Sequence, residues 1–144
     1  MTGPKTYRGS CLCGSVAYEI EGPLRPIVGC HCVQCRKTSG HHFAATQGHA
    51  KNLRFTSDDG LSWYRSSEEA ERGFCANCGS SLFWRRFESD QISICAGTLD
   101  GDHGLKMVCH ILADTPGAHY ELTDGLPQID QADLSSMIPS DDAG

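Results

Sequence analysis

The sequence predicts a mainly β fold, with few short helices and with antiparallel sheets tied together by bound zinc. Three observations lead to this prediction. Sixteen glycines and six prolines in 144 residues are typical of a loop-rich β protein. Several short segments alternate apolar and polar residues with a period of two, which is the pattern of a half-buried strand. Nine cysteines are present, and seven of them fall into three tight groups with the spacing of metal ligands.

The predicted strands follow one another along the chain with turn residues between them. The first alternating segment, 16–20, ends at Gly22-Pro23. Segments 53–55 and 61–64 flank Asp58-Asp59-Gly60, so we expect them to pair as a hairpin. Further strands are predicted, in order, at 82–85, 92–94 and 105–111.

Helical patterns are weak, and we predict only one or two turns at 33–39 and at 66–72. The sequence contains no internal repeat and no linker that would divide it. A chain of this length forms one domain, which we place at residues 1–129. Residues 130–144 carry four aspartates and no Lys or Arg, so we expect an acidic, mobile tail there.

The charge balance argues against some classes of partner. Twelve Lys and Arg face 18 Asp and Glu, a formal net charge of −6, whereas nucleic acid favours a basic surface. No apolar run approaches the roughly 20 residues of a membrane span. The start of the sequence lacks the apolar stretch of a secretory signal. We therefore expect a cytoplasmic protein with neither a nucleic-acid nor a membrane partner.

The grouped cysteines carry most of the functional information. Neighbouring cysteines rarely form a disulfide with each other, and in a reducing cytosol such density indicates metal binding. The remaining two, Cys95 and Cys109, stand alone, and we interpret them as small buried hydrophobic residues. The groups are a C-x-C pair, a C-x-C-x2-C triplet and a C-x2-C-G pair: Cys11 and Cys13; Cys30, Cys32 and Cys35; Cys75 and Cys78.

The partition of these ligands predicts two different zinc sites. Tetrahedral zinc takes four ligands, and the two pairs, at 11–13 and 75–78, supply four from distant segments. We interpret them as a closed structural site that clamps the N-terminal strand to the middle of the chain. In zinc-finger peptides such binding contributes about 10–16 kcal/mol of apparent folding free energy.

The triplet of Cys30, Cys32 and Cys35 leaves the fourth zinc position open, as catalytic sites do. Three thiolates on Zn²⁺ leave a net charge of about −1, which suits the centre to holding an added thiol as a nucleophilic thiolate rather than to splitting water. The indicated chemistry is attack by a bound thiol on a small electrophile. The alternative is a second structural site whose shell another group completes. We expect the ring of His31, between two ligands, to point away from the metal.

A rival partition is a zinc ribbon made of the C-x2-C pairs at 32–35 and 75–78. It leaves three cysteines unused, and its spacer, residues 36–74, exceeds the usual 15–20 residues. The net negative charge also opposes a nucleic-acid ribbon.

Six blocks of sequence together carry a resemblance to a known family. They are GSCLCGSVAY at 9–18, CHCVQCRKTSG at 30–40, FCANCG at 74–79, AGTLD at 96–100, HI at 110–111 and DGLPQ at 124–128. In this order, over roughly residues 8–129, they resemble the glutathione-dependent formaldehyde-activating enzymes, a family that also contains centromere protein V.

The resemblance implies a β-tent fold with two zinc ions. It implies a structural zinc on Cys11, Cys13, Cys75 and Cys78 and an active-site zinc on Cys30, Cys32 and Cys35. It further implies condensation of glutathione with formaldehyde to S-hydroxymethylglutathione, a carbon–sulfur lyase activity. One position departs from the family pattern, because His119 stands where the family often carries Trp, and we expect this residue in the pocket wall.

Glutathione carries two carboxylates, so its binding site should offer cations near the open zinc. Arg36 and Lys37 directly follow Cys35, and we predict them as anchors that also offset the zinc–thiolate charge. Ordinary surface charge is the alternative for both. His41 and His42 fit exposed loop histidines better than a metal or base pair.

The leading hypothesis is a zinc enzyme in which the open site presents a low-molecular-weight thiol to formaldehyde or a related aldehyde. The three cysteines act as ligands and the substrate thiolate as nucleophile. The competing hypothesis is a non-catalytic zinc fold that serves as an interaction or thiol-sensing module. It draws support from the lack of a securely placed acid or base, since His110 fits a hydrogen-bonded core histidine better than a general acid.

Overall fold

The computed structural model describes residues 5–130, and within them the protein is mainly β, as predicted. The helices described are α1 (Val33–Ser39) and two 3-10 turns, Ala50–Asn52 and Ala96–Thr98. Apart from Asp130, the predicted acidic tail 130–144 lies outside the described residues, and the boundary of the domain at residue 129 stays a prediction. The strands are β1 Thr6–Ser10, β2 Val16–Glu21, β3 Ile27–Cys30, β4 Phe43–His49, β5 Leu53–Asp58, β6 Leu61–Arg65, β7 Ala70–Cys75, β8 Ser81–Arg86, β9 Gln91–Cys95, β10 Met107–Ile111 and β11 Gln128–Ile129.

These strands form two sheets. A three-stranded sheet has the order β1-β2-β5, and an eight-stranded sheet has the order β11-β10-β3-β4-β9-β8-β7-β6. Most neighbours pair antiparallel, but β10 runs parallel to both β3 and β11. The predicted antiparallel sheets therefore include two parallel pairings at this edge. Parallel neighbours need long connections. Most of the domain lies between β3 and β10, and residues 112–127 connect β10 to β11.

The predicted hairpin at Asp58-Asp59-Gly60 is wrong, although the turn and both of its strands are present. β5 pairs with β2 in the small sheet, whereas β6 pairs with β7 in the large one. Gly60 donates its N–H to Ser15 O at 3.2 Å and accepts at its carbonyl from Ala76 N at 2.7 Å. The turn is thus held by two other segments and passes the chain from one sheet to the other.

The two predicted helical segments differ in outcome. The helix at 33–39 is confirmed: it begins after Cys32, whose sulfur accepts from Cys35 N, and ends at Gly40 with φ 84°. The helix predicted at 66–72 is wrong, because β7 begins at Ala70 and pairs on both sides, with β6 and β8. Tertiary pairing there overrides the helical propensity of the Glu-rich segment. Among residues 5–130, no helix has the length and hydrophobicity to span a membrane.

The main core lies between the two sheets and confirms the alternation predicted at 16–20. Val16, Tyr18 and Ile20 of β2 are buried with at most 1% exposure, and the Tyr18 ring packs edge-on against Phe83 at 5.3 Å. Burying side chains of this size contributes about 1.5–3 kcal/mol each. The same cluster contains Cys11 and Cys75, so one group of cysteines forms part of the core.

Candidate metal centres and the cavity beside them

The two cysteine pairs converge at the ends of strands from different sheets. Cys11 and Cys13 follow β1, whereas Cys75 ends β7 and Cys78 lies in the turn after it. The four sulfurs lie within 4.8 Å of one another, with Cys11–Cys13 at 3.7 Å and Cys13–Cys75 at 3.8 Å. Tetrahedral zinc with Zn–S bonds of about 2.3 Å places its sulfurs about 3.8 Å apart, so these residues fit such an ion.

Neighbouring hydroxyl and N–H groups prepare this four-cysteine group for thiolates. Ser15 Oγ lies 3.1 Å from Cys13 Sγ and 3.3 Å from Cys75 Sγ, and Ser80 Oγ lies 3.2 Å from Cys78 Sγ. The hydrogen bond from the Ser80 hydroxyl, with backbone donors, lowers the pKa of Cys78 to about 5. Ser15 in the same way lowers the pKa of Cys75. A metal there would meet two ligands, Cys75 and Cys78, whose ionisation these hydrogen bonds already favour.

The second group comes from one short segment at the junction of β3 and α1. Cys30 ends the strand, Cys32 caps the helix, and Cys35 is buried in its first turn. Their sulfurs also lie within 4.8 Å of one another, and within residues 5–130 no fourth Cys, His, Asp or Glu joins the group. A group of three cysteines is what the spacing predicts, and thiolates are donors that zinc prefers.

A buried arginine provides the counter-charge for these three cysteines. Arg72 is 8% exposed, and its Nη2 lies 3.5 Å from Cys35 Sγ and 3.2 Å from Gln34 Oε1. Hydrogen bonds from Cys30 and Cys35, together with the charge of Arg72, lower the pKa of Cys32 to about 2. The pKa of Cys30 is raised, because its thiol is hydrogen bonded to the sulfurs of Cys32 and Cys35 and is partly buried. The pKa of Cys35 is also raised, so within this group negative charge is favoured on the sulfur of Cys32.

The three cysteines open onto a cavity of about 960 Å³, at the upper end of the range for small-molecule sites. Its lining includes residues of β3, β4, β9, β8 and β7, so the cavity lies over one face of the large sheet. Arg25, Arg72 and Arg86 line it, and the acidic residue Glu69 forms an ion pair with Arg86 at 4.0 Å. A smaller cavity of about 280 Å³ has no cysteine in its lining.

The structure does not bring the predicted anchors to this cavity. Arg36 and Lys37 lie on α1 but are not among the lining residues, so their role in binding substrate stays a prediction. Arg25 and Arg72 were missed because each depends on long-range packing. In the sequence, Arg72 was visible only as a charged residue at an inward position of a segment that alternates. The prediction of a helix at 66–72 obscured this alternation.

The histidines considered in the sequence are not among the residues that line this cavity. The ring of His31 is fully buried and hydrogen bonded to His110, so it points away from the sulfurs as expected, and His110 is a hydrogen-bonded core residue. His41 is exposed, in agreement with the prediction, whereas His42 is half-buried. His119 contacts His41, with Nε2 3.1 Å from Nδ1, and is not among the residues lining the cavity. The role of His119 in the pocket wall therefore stays a prediction.

The chain is similar to two known proteins. The chain is 35% identical over 80 residues to an uncharacterized lyase of Schizosaccharomyces pombe; the match covers 54% of this chain and 56% of that protein. The chain thus spans about half the length of the curated relative it matches. A crystal structure of a Rhodobacter sphaeroides protein is 24% identical, with a TM-score of 0.54 over 69% of this chain and 97% of that one. This likeness concerns the fold alone.

A family comparison covers more of the chain. The family model described as glutathione-dependent formaldehyde-activating enzyme matches residues 6–115, which include both cysteine groups and the strands that position them. The β-tent designation stays a prediction. The chain belongs to the glutathione-dependent formaldehyde-activating enzyme family.

Proposed function

We propose that this protein is a zinc-dependent enzyme of the carbon–sulfur lyase type, which adds glutathione or a similar thiol to formaldehyde or a related aldehyde. The observation that carries the proposal is the opening of the three-cysteine group, with no fourth side-chain ligand among residues 5–130, onto a cavity of substrate size. The family match supports the reaction class.

In this proposal Cys30, Cys32 and Cys35 hold the open zinc, and the four-cysteine group holds a structural one. Bound zinc supplies a position at which the sulfur of an added thiol ionises at neutral pH. The thiol proton passes to water, and the substrate thiolate attacks the aldehyde carbon: a carbon–sulfur bond forms and the carbonyl π electrons move to oxygen. That oxygen takes a proton back from water, so the addition involves no net change in protons. Arg72 offsets the negative charge of three protein thiolates and keeps them aligned through Cys35.

The cavity also offers a place for the carboxylates of the substrate. Arg25 donates to Gln47 Oε1 at 2.8 Å, Ala45 O at 2.9 Å and Pro26 O at 3.2 Å. A guanidinium has five N–H donors, so about two remain for a ligand. Arg25 and Arg72 therefore join the sequence-predicted Arg36 and Lys37 as candidate carboxylate anchors.

The non-catalytic alternative is also supported by an observation. No histidine lines the cavity among the described residues, and the acidic residue there, Glu69, is paired with Arg86. A fold that holds a thiol without accelerating its reaction would have this composition. The enzymatic proposal is consistent with the same lining residues, because in it water donates the proton.

Cobalt substitution at the three-cysteine site tests thiol binding directly. We expect glutathione to change the sulfur-to-cobalt charge-transfer absorption, because its sulfur enters the open position and loses a proton. S-methylglutathione is the matched control, since it keeps both carboxylates but lacks an ionisable thiol.

NMR exchange spectroscopy then tests catalysis. If the proposal is correct, the zinc protein accelerates the exchange between glutathione with formaldehyde and their adduct above the uncatalysed rate. Thiol binding without acceleration for any aldehyde would favour the thiol-sensing module. An absorption spectrum that glutathione leaves unchanged would refute both the enzyme and the thiol sensor.

A further inference from the structure

Behind the three-cysteine loop, four side chains form a continuous hydrogen-bonded chain, and none of them is among the residues that line the cavity. Asp124 Oδ2 lies 2.8 Å from His110 Nε2, and His110 Nδ1 lies 2.8 Å from His31 Nε2. His31 Nδ1 in turn lies 2.5 Å from the hydroxyl of Tyr120. The two histidines are 1% and 0% exposed, so the middle of the chain is closed to water.

The carboxylate determines the direction of every hydrogen bond in this chain. The bond from His110, with a second from Leu126 N, lowers the pKa of Asp124, so the carboxylate is an acceptor. When His110 is neutral, its proton is therefore on Nε2 and its Nδ1 accepts, which requires the proton of His31 to be on Nε2. His31 Nδ1 is then an acceptor, and the Tyr120 hydroxyl donates to it.

The surrounding backbone is shaped to hold these rings. His110 lies opposite Gly29 in the parallel pair of β10 and β3, and a Cβ at Gly29 would approach His110 Nδ1 to 3.0 Å and His42 Cδ2 to 3.2 Å. Glycine at this position leaves space for the imidazoles. The backbone N–H of His31 donates to Ile111 O at 3.1 Å, so its main chain and its ring are both fixed by the same strand.

We propose that Asp124 is a positioning residue for the three-cysteine site. His31 is the residue between Cys30 and Cys32, and its ring is held at both nitrogens, so the two peptides that join these ligands cannot rotate independently. Asp124 acts through His110; it belongs to neither cysteine group and is not among the residues that line the cavity. Carboxylates behind metal-binding side chains generally change metal affinity or activity by about 10–100-fold. Because two residues, His110 and His31, lie between Asp124 and the ligands, we expect the lower end of that range.

Two substitutions at Asp124 and one control test this proposal. Asp124→Asn can present an N–H to His110, which reverses the chain and moves the His31 proton from Nε2 to Nδ1. Asp124→Leu removes the acceptor. The control is Asp102→Asn: Asp102 is also exposed and accepts from Gly104 N two residues later at 3.2 Å, but within residues 5–130 its side chain is not hydrogen bonded to a histidine.

The measurements are the ¹⁵N shifts of the histidine rings and the rate of zinc transfer to a chromophoric chelator. The kinetic phase of zinc release that Cys32→Ser removes is assigned to the three-cysteine site. We expect at least one Asp124 variant to shift the ring tautomers and to release this zinc about tenfold faster, with the four-cysteine site unchanged. Asp102→Asn should match the wild type in both measurements.

Three results would overturn the proposal. Release from the three-cysteine site could stay within twofold of the wild type in both variants, even with altered tautomers. Both zinc sites could loosen equally, which would indicate a general loss of stability. The control could accelerate release as much as the Asp124 variants do. If Asp124→Leu does not fold, Asp124→Asn decides the question, and its ring shifts can be read without metal.

Discussion

At the residue scale, a buried arginine, Arg72, and a half-buried one, Arg25, distinguish this cavity from an ordinary cleft. Buried charges are normally paired, yet among residues 5–130 no carboxylate lies within 4.0 Å of Arg25 or Arg72. Arg72 has the sulfur of Cys35 as its partner. Arg25 contacts only neutral oxygens, and burial lowers its pKa. An anionic group of a bound ligand would compensate the cost of burying this charge.

Substitution of Arg25 should therefore weaken the binding of carboxylate-bearing thiols selectively. A hydrogen bond to a charged group contributes about 1.5–3 kcal/mol, so we expect Arg25→Gln to raise the dissociation constant of glutathione by at least about tenfold. Cysteamine, which has a thiol but no carboxylate, should bind as to the wild type. The measurement is titration of the cobalt charge-transfer band with each thiol.

Arg36→Gln is the matched comparison, because Arg36 is the anchor that the sequence predicts and lies outside the cavity lining. A tenfold loss of glutathione affinity in Arg36→Gln, with Arg25→Gln unaffected, would identify Arg36 on α1 as the carboxylate anchor. An equal loss for cysteamine in Arg25→Gln would mean that the substitution damages the site as a whole.

At the element scale, the turn between β5 and β6 connects the sheets and the four-cysteine group. A Cβ at Gly60 would collide with Ser15 Oγ and would lie 2.8 Å from Cys75 Sγ. Ser15 is the residue whose hydroxyl bonds to Cys13 and Cys75. The absence of a side chain at Gly60 therefore lets a strand connection pass directly beside the metal ligands.

Gly60→Ala should destabilise the protein by about 1–3 kcal/mol, the usual cost of overpacking, and should loosen the zinc of the four-cysteine site. Gly97→Ala is the control, because a Cβ there meets nothing within 4 Å and should change stability by less than about 0.5 kcal/mol. Urea denaturation and elemental analysis after dialysis against chelator provide the measurements. Equal behaviour of the two variants would show that the turn tolerates a side chain.

At the scale of the whole molecule, the two cysteine groups differ in what they connect. The four-cysteine group joins β1 of the small sheet to β7 of the large sheet, across more than 60 residues of sequence. The three-cysteine group connects only neighbouring residues of one loop and helix. A metal in the first group should therefore stabilise the packing of the sheets, whereas one in the second should leave it nearly unchanged.

Single serine substitutions should separate these roles. We expect elemental analysis to find two zinc ions per wild-type chain, and mild chelation to remove the one on the three cysteines first. Cys78→Ser should lower the free energy of unfolding by several kcal/mol, because it breaks the clamp between the sheets. Cys32→Ser should retain one zinc and a melting temperature near that of the wild type. Equal unfolding of the two variants would make the three-cysteine loop structural and would weaken the proposed function.

Much of the local structure was predictable because it depends on residues close together in sequence. The ligand groups follow from spacings of two or three residues, since these alone set whether neighbouring sulfurs can share an ion. The alternation at 16–20 and the helix at 33–39 are likewise local. The mainly β class follows from the same short-range patterns.

The sequence by itself thus determined the two ligand groups, the family and the class of fold, whereas the tertiary structure decided their surroundings. The hairpin at Gly60 and the helix at 66–72 were wrong because strand partners far away in sequence contribute more than local propensity. Arg25 and Arg72 reach the cavity, and His31 reaches Asp124, only through pairings that bring distant strands together. Such contacts depend on which surfaces the whole chain buries, and that information is not contained in any short segment.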